Sequence, residues 1–202
     1  LRQQYFLVSA SLQDILAKDK AKGRRISDLP KYHCFQLNDT HPVIAIPELL
    51  RLLQEEGLSF EEAFDLAAKC FNFTNHTIMA EALEKWDALA LSELLPDVYR
   101  QIVNCQERIQ REGVDPDKFF IIRDNVIHMA NLAIYVSAKV NGVAEIHTNI
   151  LKTDTFKNWC ELYPDKFVNI TNGITPRRWL LLNNPQMAKE IDSLIGTEWH
   201  ID

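Results

Sequence analysis

The chain has 202 residues, of which 47% are hydrophobic and 25% charged, with 22 Lys and Arg against 28 Asp and Glu for a net charge of −6. Enough apolar side chains are present to offset chain entropy, which excludes disorder as the main state, and the six Gly and eight Pro exclude collagen-like and low-complexity classes. The acidic balance argues against non-specific nucleic-acid binding, which needs surplus cations to displace condensed counterions.

From the first residue, Tyr5, Phe6, Val8, Leu12, Ile15 and Leu16 recur at helical spacing, predicting a helix over residues 2–18. The charged stretch from Lys18 to Pro30 reads as a solvated surface loop. Tyr32 to Leu37 reads as a short buried strand, followed by Asn38-Asp39-Thr40-His41-Pro42. There Asp39 or Thr40 is suited to cap the next helix, and Gly57 to stop it. Ser59 with Glu62 three residues later forms a capping box for a further helix. Phe71 to Thr74 is a second strand, leading into Asn75-His76-Thr77. Ile78 to Trp86 reads as a short helix or helical turn, and Leu91 to Arg111 as a long helix that Pro96 kinks or restarts.

Phe119 to Ile122 fits a helix end or a strand equally well. The apolar run from Val126 to Val136 reads as a buried strand with His128 as a core residue, and Asn141-Gly142 as a tight turn. Helices follow over residues 143–152 and 156–162. Phe167 to Ile170 is a strand ending in Thr171-Asn172-Gly173, and two helical stretches close the sequence around Asn184-Pro185. Strands alternating with helices predict an α/β fold with a largely parallel sheet.

Cys34, Cys70, Cys105 and Cys160 form no C-x-x-C pair, which suits a reducing compartment. The longest apolar runs are far short of a membrane span. The sequence shows no signal peptide and opens on Leu1 rather than Met, so it is expected to be a piece of a longer polypeptide. Four N-x-[ST] matches, at Asn38, Asn72, Asn75 and Asn169, read as polar residues of turns after strands.

Polar residues thus gather after three predicted strands, as Asn38 to His41, Thr74 to Thr77 and Thr171 to Gly173. In open α/β sheets the carboxyl ends of the strands form the ligand crevice. Amide, hydroxyl and imidazole groups there suit a neutral polyhydroxy ligand such as a sugar, whereas a phosphate cradle would need a Gly-rich loop that the sequence lacks. Plain capping and turn chemistry is the alternative reading of each cluster. Asp39, His41 and His76 lack the spacing of a metal site. No G-x-S-x-G elbow supports a serine hydrolase.

Several longer motifs then resemble the α-glucan phosphorylases of glycogen, starch and maltodextrin. They are Gln36-Leu37-Asn38-Asp39-Thr40-His41-Pro42, Thr74-Asn75-His76-Thr77 with Glu81 to Trp86, and Val140-Asn141-Gly142-Val143-Ala144-Glu145-Ile146-His147. The most specific runs from Lys166-Phe167 through Thr171-Asn172-Gly173-Ile174-Thr175-Pro176-Arg177-Arg178-Trp179. The resemblance runs in order across nearly the whole chain. It departs at Ala80, where Pro is common, at Ala138 and Lys139, and over residues 113–125.

The resemblance implies a Rossmann-like parallel sheet with flanking helices, within a two-domain glycosyltransferase of the GT-B type. Residues 1–170 would be the later part of the N-terminal, glucan-binding domain, and residues 171–202 a truncated crossover into the C-terminal, cofactor domain. The implied reaction is phosphorolysis of terminal α-1,4-linked glucosyl units, by inorganic phosphate, to glucose 1-phosphate with retention. The implied cofactor is pyridoxal phosphate, whose lysine motif is absent from this sequence, so the chain alone is expected to be inactive.

By the same resemblance His76 and Asn172 are catalytic and bind the sugar hydroxyls, and the His76 carbonyl stabilises developing oxocarbenium charge. Asp39, His41 and Thr77 line the adjoining pocket. Val143 packs near the hydroxymethyl group, with Asn141 supporting its turn. Trp179 lies beside the pyridoxal ring, and Arg177 and Arg178 are read as structural. A cytoplasmic homodimer is implied. A carbohydrate-binding fragment without catalysis, or a structural fragment without a ligand, remain the alternatives, and a cofactor-lysine motif downstream would discriminate against both.

Overall fold

A computed structural model describes residues 1–201, with Ala80 described by its backbone alone. The chain divides into two compact units, Leu1–Ile170 and Thr171–Asp202.

In the first unit α1 (Arg2–Ala21) is followed by a 3-10 turn (Ile26–Asp28), α2 (Leu29–Tyr32), β1 (Phe35–Asn38), α3 (Ala45–Glu55), α4 (Phe60–Cys70) and β2 (Phe71–Thr74). Next come β3 (Lys85–Asp87), α5 (Ala88–Leu94), α6 (Pro96–Arg111), β4 (Ile122–Arg123), β5 (Val126–His128), α7 (Met129–Val136) and β6 (Lys139–Gly142). The unit closes with α8 (Glu145–Ile150), a π-helical turn (Leu151–Thr155), α9 (Lys157–Leu162) and β7 (Phe167–Asn169). Four strands form a parallel sheet in the order β1-β2-β6-β7, and three form a small antiparallel sheet in the order β3-β5-β4. The fold is therefore α/β with a parallel sheet and flanking helices.

The core lies on this sheet. Phe71, Phe73 and Val140 are fully buried on the central strands. α3 presents Leu49, Leu50 and Leu53 to the interior, all fully buried. It also buries Glu48 completely. That carboxylate accepts hydrogen bonds from Arg51 Nε and Nη2 at 2.8 and 2.9 Å, from Ser9 Oγ at 2.6 Å and from Tyr5 OH at 3.2 Å. A buried charge survives only with such partners, and here they fasten α1 to α3. The Ser59–Glu62 capping box opens α4, and Gly57, at φ 96°, ends the turn after α3.

Several elements differ from expectation. The charged stretch after residue 18 is not one loop: α1 continues to Ala21, and the 3-10 turn and α2 fill much of the rest. β1 begins at Phe35, because Tyr32 ends α2. The stretch from Ile78 to Trp86 holds only a 3-10 turn (Ala80–Ala82) before β3. Pro96 restarts a helix, separating α5 from α6, as its missing N–H and fixed φ favour at a first helical turn.

The run from Val126 to Val136 is a three-residue strand followed by a helix. Seven of the eight α7 residues are buried, and a helix buried all round shows no polar face to reveal its period. His128 consequently ends a strand instead of lying within one. It is partly buried, with its ring edge-on to Phe120 at 5.0 Å. The Lys166 ammonium caps the end of α7, donating to the carbonyls of Ile134 and Tyr135 at 3.0 and 2.6 Å. Asn141 and Gly142 are not a turn but the last two residues of β6.

In the second unit, a π-helical stretch (Arg177–Leu182) leads into α10 (Pro185–Ile195) and a 3-10 turn (Glu198–His200). Asn184 caps α10, its side chain accepting from Met187 N–H at 3.3 Å. Trp199 Nε1 donates to Asp192 Oδ1 at 3.0 Å, and His200 Nε2 lies 2.7 Å from the same oxygen. Among the described residues no helix is long and apolar enough to cross a membrane.

Candidate functional site

The four parallel strands end within one residue of a common row. The register places Asn38 opposite Thr74, Thr74 opposite Asn141, and Gly142 opposite Asn169. The ladder continues past the strand ends. Asp39 N–H donates to Thr74 O at 2.8 Å, Asn75 N–H to Asn141 O at 2.9 Å, and Ile170 N–H to Gly142 O at 3.2 Å. Loops that leave the sheet through such bonds start from fixed positions.

Side chains join the row crosswise. Gln36 Nε2 donates to Thr74 Oγ1 at 2.7 Å, and Thr74 Oγ1 donates to Asn141 Oδ1 at 2.8 Å. Asn141 is buried, and its Nδ2 donates to Gly142 O at 2.9 Å. Thr148 Oγ1 lies 2.7 Å from Asn169 Oδ1. His76 is exposed, and its Nε2 lies 2.5 Å from Asn38 Oδ1. The imidazole is thereby held over the end of β1 with its other ring nitrogen facing away from that bond. Asn75, between Thr74 and His76, is fully buried, with neither end of its amide meeting a partner among the described residues.

Asp39 adopts φ 64°, a left-handed conformation that a short polar side chain tolerates by bonding locally. Its carboxylate accepts from Thr40 N–H at 2.7 Å. Neither Asp39 nor Thr40 caps α3, which begins at Ala45 with no side-chain cap; the turn over residues 41–44 intervenes. His41 points elsewhere. Its side chain is 73% exposed, and Nδ1 stands 3.6 Å from Glu84 Oε2. Thr77 Oγ1 accepts from Met79 N–H at 3.3 Å. Val143 N–H donates to His147 Nδ1 at 3.0 Å.

The structure thus brings Asp39, His76, Thr77, Asn141 and Val143 to one end of the sheet and sets His41 beside Glu84 on its flank. Asn172 and Trp179 belong to the second unit, where both are exposed, Trp179 by 58%. Arg177 Nη1 lies 3.4 Å from His200 O, a contact within that unit. Sequence reasoning placed Thr74 in a polar strand-end cluster and Gln36 and His147 within family motifs but gave none of the three a role of its own; Gln36 and Thr74 carry the crosswise bonds, and His147 holds Val143. Among the described residues no group of three or more His, Cys, Asp or Glu is arranged to hold a metal ion. A separate concavity of about 380 Å³ is lined by Glu84, Lys85, Phe120, His128, Asn131 and Trp159 among others, and contains none of the strand-end candidates.

Chemically the row offers amide, hydroxyl and imidazole groups that both donate and accept, with the Asp39 carboxylate at its edge. Such a set matches the many directional bonds of a hydroxyl-rich ligand.

The family model described as "Phosphorylase: Carbohydrate phosphorylase" matches residues 1–202. The chain is 42% identical to a glycogen phosphorylase of Haemophilus influenzae over 100% of its own length and 26% of that protein. It is 43% identical to a maltodextrin phosphorylase of Streptococcus pneumoniae, over 98% of the chain and 26% of that protein. It is 42% identical to "Alpha-glucan phosphorylase 2, cytosolic" of Arabidopsis thaliana, over 100% of the chain and 26% of that protein. The chain therefore spans about a quarter of the length of the relatives it matches.

Proposed function

Because the chain belongs to the carbohydrate phosphorylase family, we propose that it is the part of a cytoplasmic, dimeric α-glucan phosphorylase that supplies sugar-binding groups. The reaction is phosphorolysis of terminal α-1,4-linked glucosyl units of glycogen or a related glucan, giving glucose 1-phosphate with retention. The observation that carries this reading is the row of amide, hydroxyl and imidazole groups at the ends of four parallel strands in register.

In this reading His76 and Asn172 hydrogen-bond the glucosyl hydroxyls. The imidazole of His76, oriented by Asn38, addresses the 6-hydroxyl, while its backbone carbonyl faces the anomeric carbon and offers a lone pair to developing positive charge. Asp39 and Thr77 line the adjoining pocket, and His41, which stands beside Glu84, borders it from the flank. Val143 meets the hydroxymethyl group, supported by Asn141. Fixed hydrogen-bonding groups contribute positioning and electrostatics without reorganising during the reaction.

The exposed indole of Trp179 presents an aromatic face of the kind that stacks on a pyridine ring, so this residue fits pyridoxal phosphate; the covalent lysine motif is not in this sequence. When bound, the cofactor supplies an acid–base phosphate for the substrate phosphate. The 202-residue chain alone is expected to be inactive.

The test uses the complete phosphorylase. A site built to bond a hydroxyl discriminates strongly against a ligand that lacks it. Asn172→Ala is expected to lower kcat/KM by roughly 10²-fold or more, equivalent to about 3 kcal/mol, and to weaken the preference for glucosyl over 6-deoxyglucosyl donors. His76→Ala should lose hydroxyl recognition and retain part of the charge stabilisation, because the carbonyl survives. Wild-type kinetics and an intact 6-hydroxyl preference in both variants would remove the sugar-site assignment and leave the binding or structural readings.

A further inference from the structure

His147 sits on α8, one helical turn beyond Val143, and reaches back to the end of the sheet. Its Nδ1 accepts the Val143 N–H at 3.0 Å. A ring nitrogen accepts only when it carries no proton, so the imidazole is neutral and its proton resides on Nε2. Nε2 is itself buried, and the backbone of Thr77 is the hydrogen-bonding group that bears on the ring from that quarter. The ring sits so close to β6 that a Cβ added to Gly142 would lie 2.9 Å from Nδ1. His76 and the Thr77 backbone, in the segment that follows β2, are near enough to act on the ring.

From this geometry we infer that His147 is a positioning residue of the sugar site: as a neutral imidazole it fixes the Val143 turn against the His76–Thr77 segment. The inference rests on the sugar-site reading above, and adds to it a residue that touches no substrate. The titratable groups that reach the ring are His76, after β2, and Asp39, after β1. Burial, then the His76 imidazole, hold the His147 pKa below the ordinary histidine value, against the opposing pull of the Thr77 backbone and Asp39. The neutral, accepting form is thereby favoured down to a pH where a free histidine is charged. Protonating Nδ1 would set an N–H against the Val143 N–H and release the turn.

The experiment is done on the whole 202-residue chain and needs no sugar. Long-range proton–nitrogen spectra of the imidazoles are expected to show His147 with a bare Nδ1 and a protonated Nε2, persisting below about pH 6.5, the unperturbed histidine pKa. Exchange of the Val143 amide hydrogen is expected to quicken about tenfold or more in His147→Ala, in line with one lost hydrogen bond. His147→Asn, whose side-chain oxygen can replace Nδ1 as acceptor, is expected to restore slow exchange. A purely space-filling role would show no such rescue.

A protonated Nδ1 in the unmutated chain, or Val143 exchange indifferent to His147→Ala, overturns the proposal. The tautomer is read without mutation, so a variant that fails to fold leaves that test intact. In the complete phosphorylase His147→Ala should lower kcat/KM about tenfold, with recovery in His147→Asn. Wild-type kinetics in Asn172→Ala and His76→Ala, with Val143 exchange still answering to His147, would overturn the sugar-site reading alone.

Discussion

Replacing Gly142 by alanine places a methyl carbon where the sheet and α8 leave no room for one. The added Cβ would lie 2.5 Å from Thr148 Oγ1, 2.9 Å from His147 Nδ1 and 3.0 Å from Thr148 Cα. The hydroxyl is not free to swing away without loss, because it lies within bonding distance of Ala144 O at 2.9 Å and Asn169 Oδ1 at 2.7 Å. The Cα belongs to α8 and moves only with the helix. Overpacking of this kind costs about 1–3 kcal/mol. The alanine returns roughly 0.4–1 kcal/mol by restricting the unfolded chain. At the middle of both ranges the net loss is about 1.3 kcal/mol, which for a protein of this size lowers Tm by about 3–5 °C. Urea and thermal unfolding followed by circular dichroism measure it directly. Gly173→Ala is the control, since no heavy atom lies within 4 Å of its added Cβ, and with the same unfolded-chain gain and no clash it should equal wild type or exceed it by up to about 1 kcal/mol. A Gly142→Ala chain as stable as that control would refute the close-approach argument.

The other expectations concern buried charge and buried thiols. Glu48→Ala leaves the Arg51 guanidinium, whose side chain is only 18% exposed, with Glu55 as its remaining carboxylate, takes the shared acceptor from Ser9 and Tyr5, and should cost about 1–3 kcal/mol in urea unfolding; a wild-type midpoint would contradict the pairing. Burial pushes the Lys166 pKa down to about 8 from its ordinary 10.5. The unfolded chain then binds more protons across that interval, so this residue's contribution makes stability rise with pH there. Cys70, pushed up to about 12 by burial, and Cys105, pushed up by burial too, act in the opposite sense above pH 9. The test is therefore the difference in stability slope between wild type and Lys166→Met from about pH 7.5 to about pH 9; equal slopes would remove the claim. An aromatic disulfide reagent should label the exposed Cys34 in the folded chain, and Cys70 and Cys105 only after denaturant is added.

The sequence was most informative where local chemistry decides local structure. Ser59 and Glu62 announce α4, and the alternation in Phe71-Asn72-Phe73-Thr74 matches a strand with both phenylalanines buried. It misled where tertiary burial overrides a local signal. Met129 to Val136 carries apolar residues on every side because α7 is enclosed, and an eight-residue run gives too little period to separate helix from strand. Asn141-Gly142 has the composition of a tight turn, yet pairing on both sides, with β2 and β7, holds it extended. The polar clusters after strands were visible as residue types. Their alignment was not, because register is a relation between strands distant in sequence. No local pattern says that His76 meets Asn38, or that His147 turns back to Val143.

The crosswise bonds of the strand-end row also bear on how the chain folds. Gln36 and Thr74 are 38 residues apart, and Thr74 and Asn141 are 67 apart. Contacts of such span form only after long stretches of chain have closed, and closure entropy delays them relative to helices and adjacent helix pairs. The row is consequently a late structure, assembled when β6 docks beside β2 and completed by β7. A nascent chain that has emerged only through β2 can pair β1 with β2 and form α3 and α4, but it displays half a site. Groups destined to meet a ligand thus stay dispersed until the sheet is nearly whole, which makes their mutual hydrogen bonds a marker of finished folding.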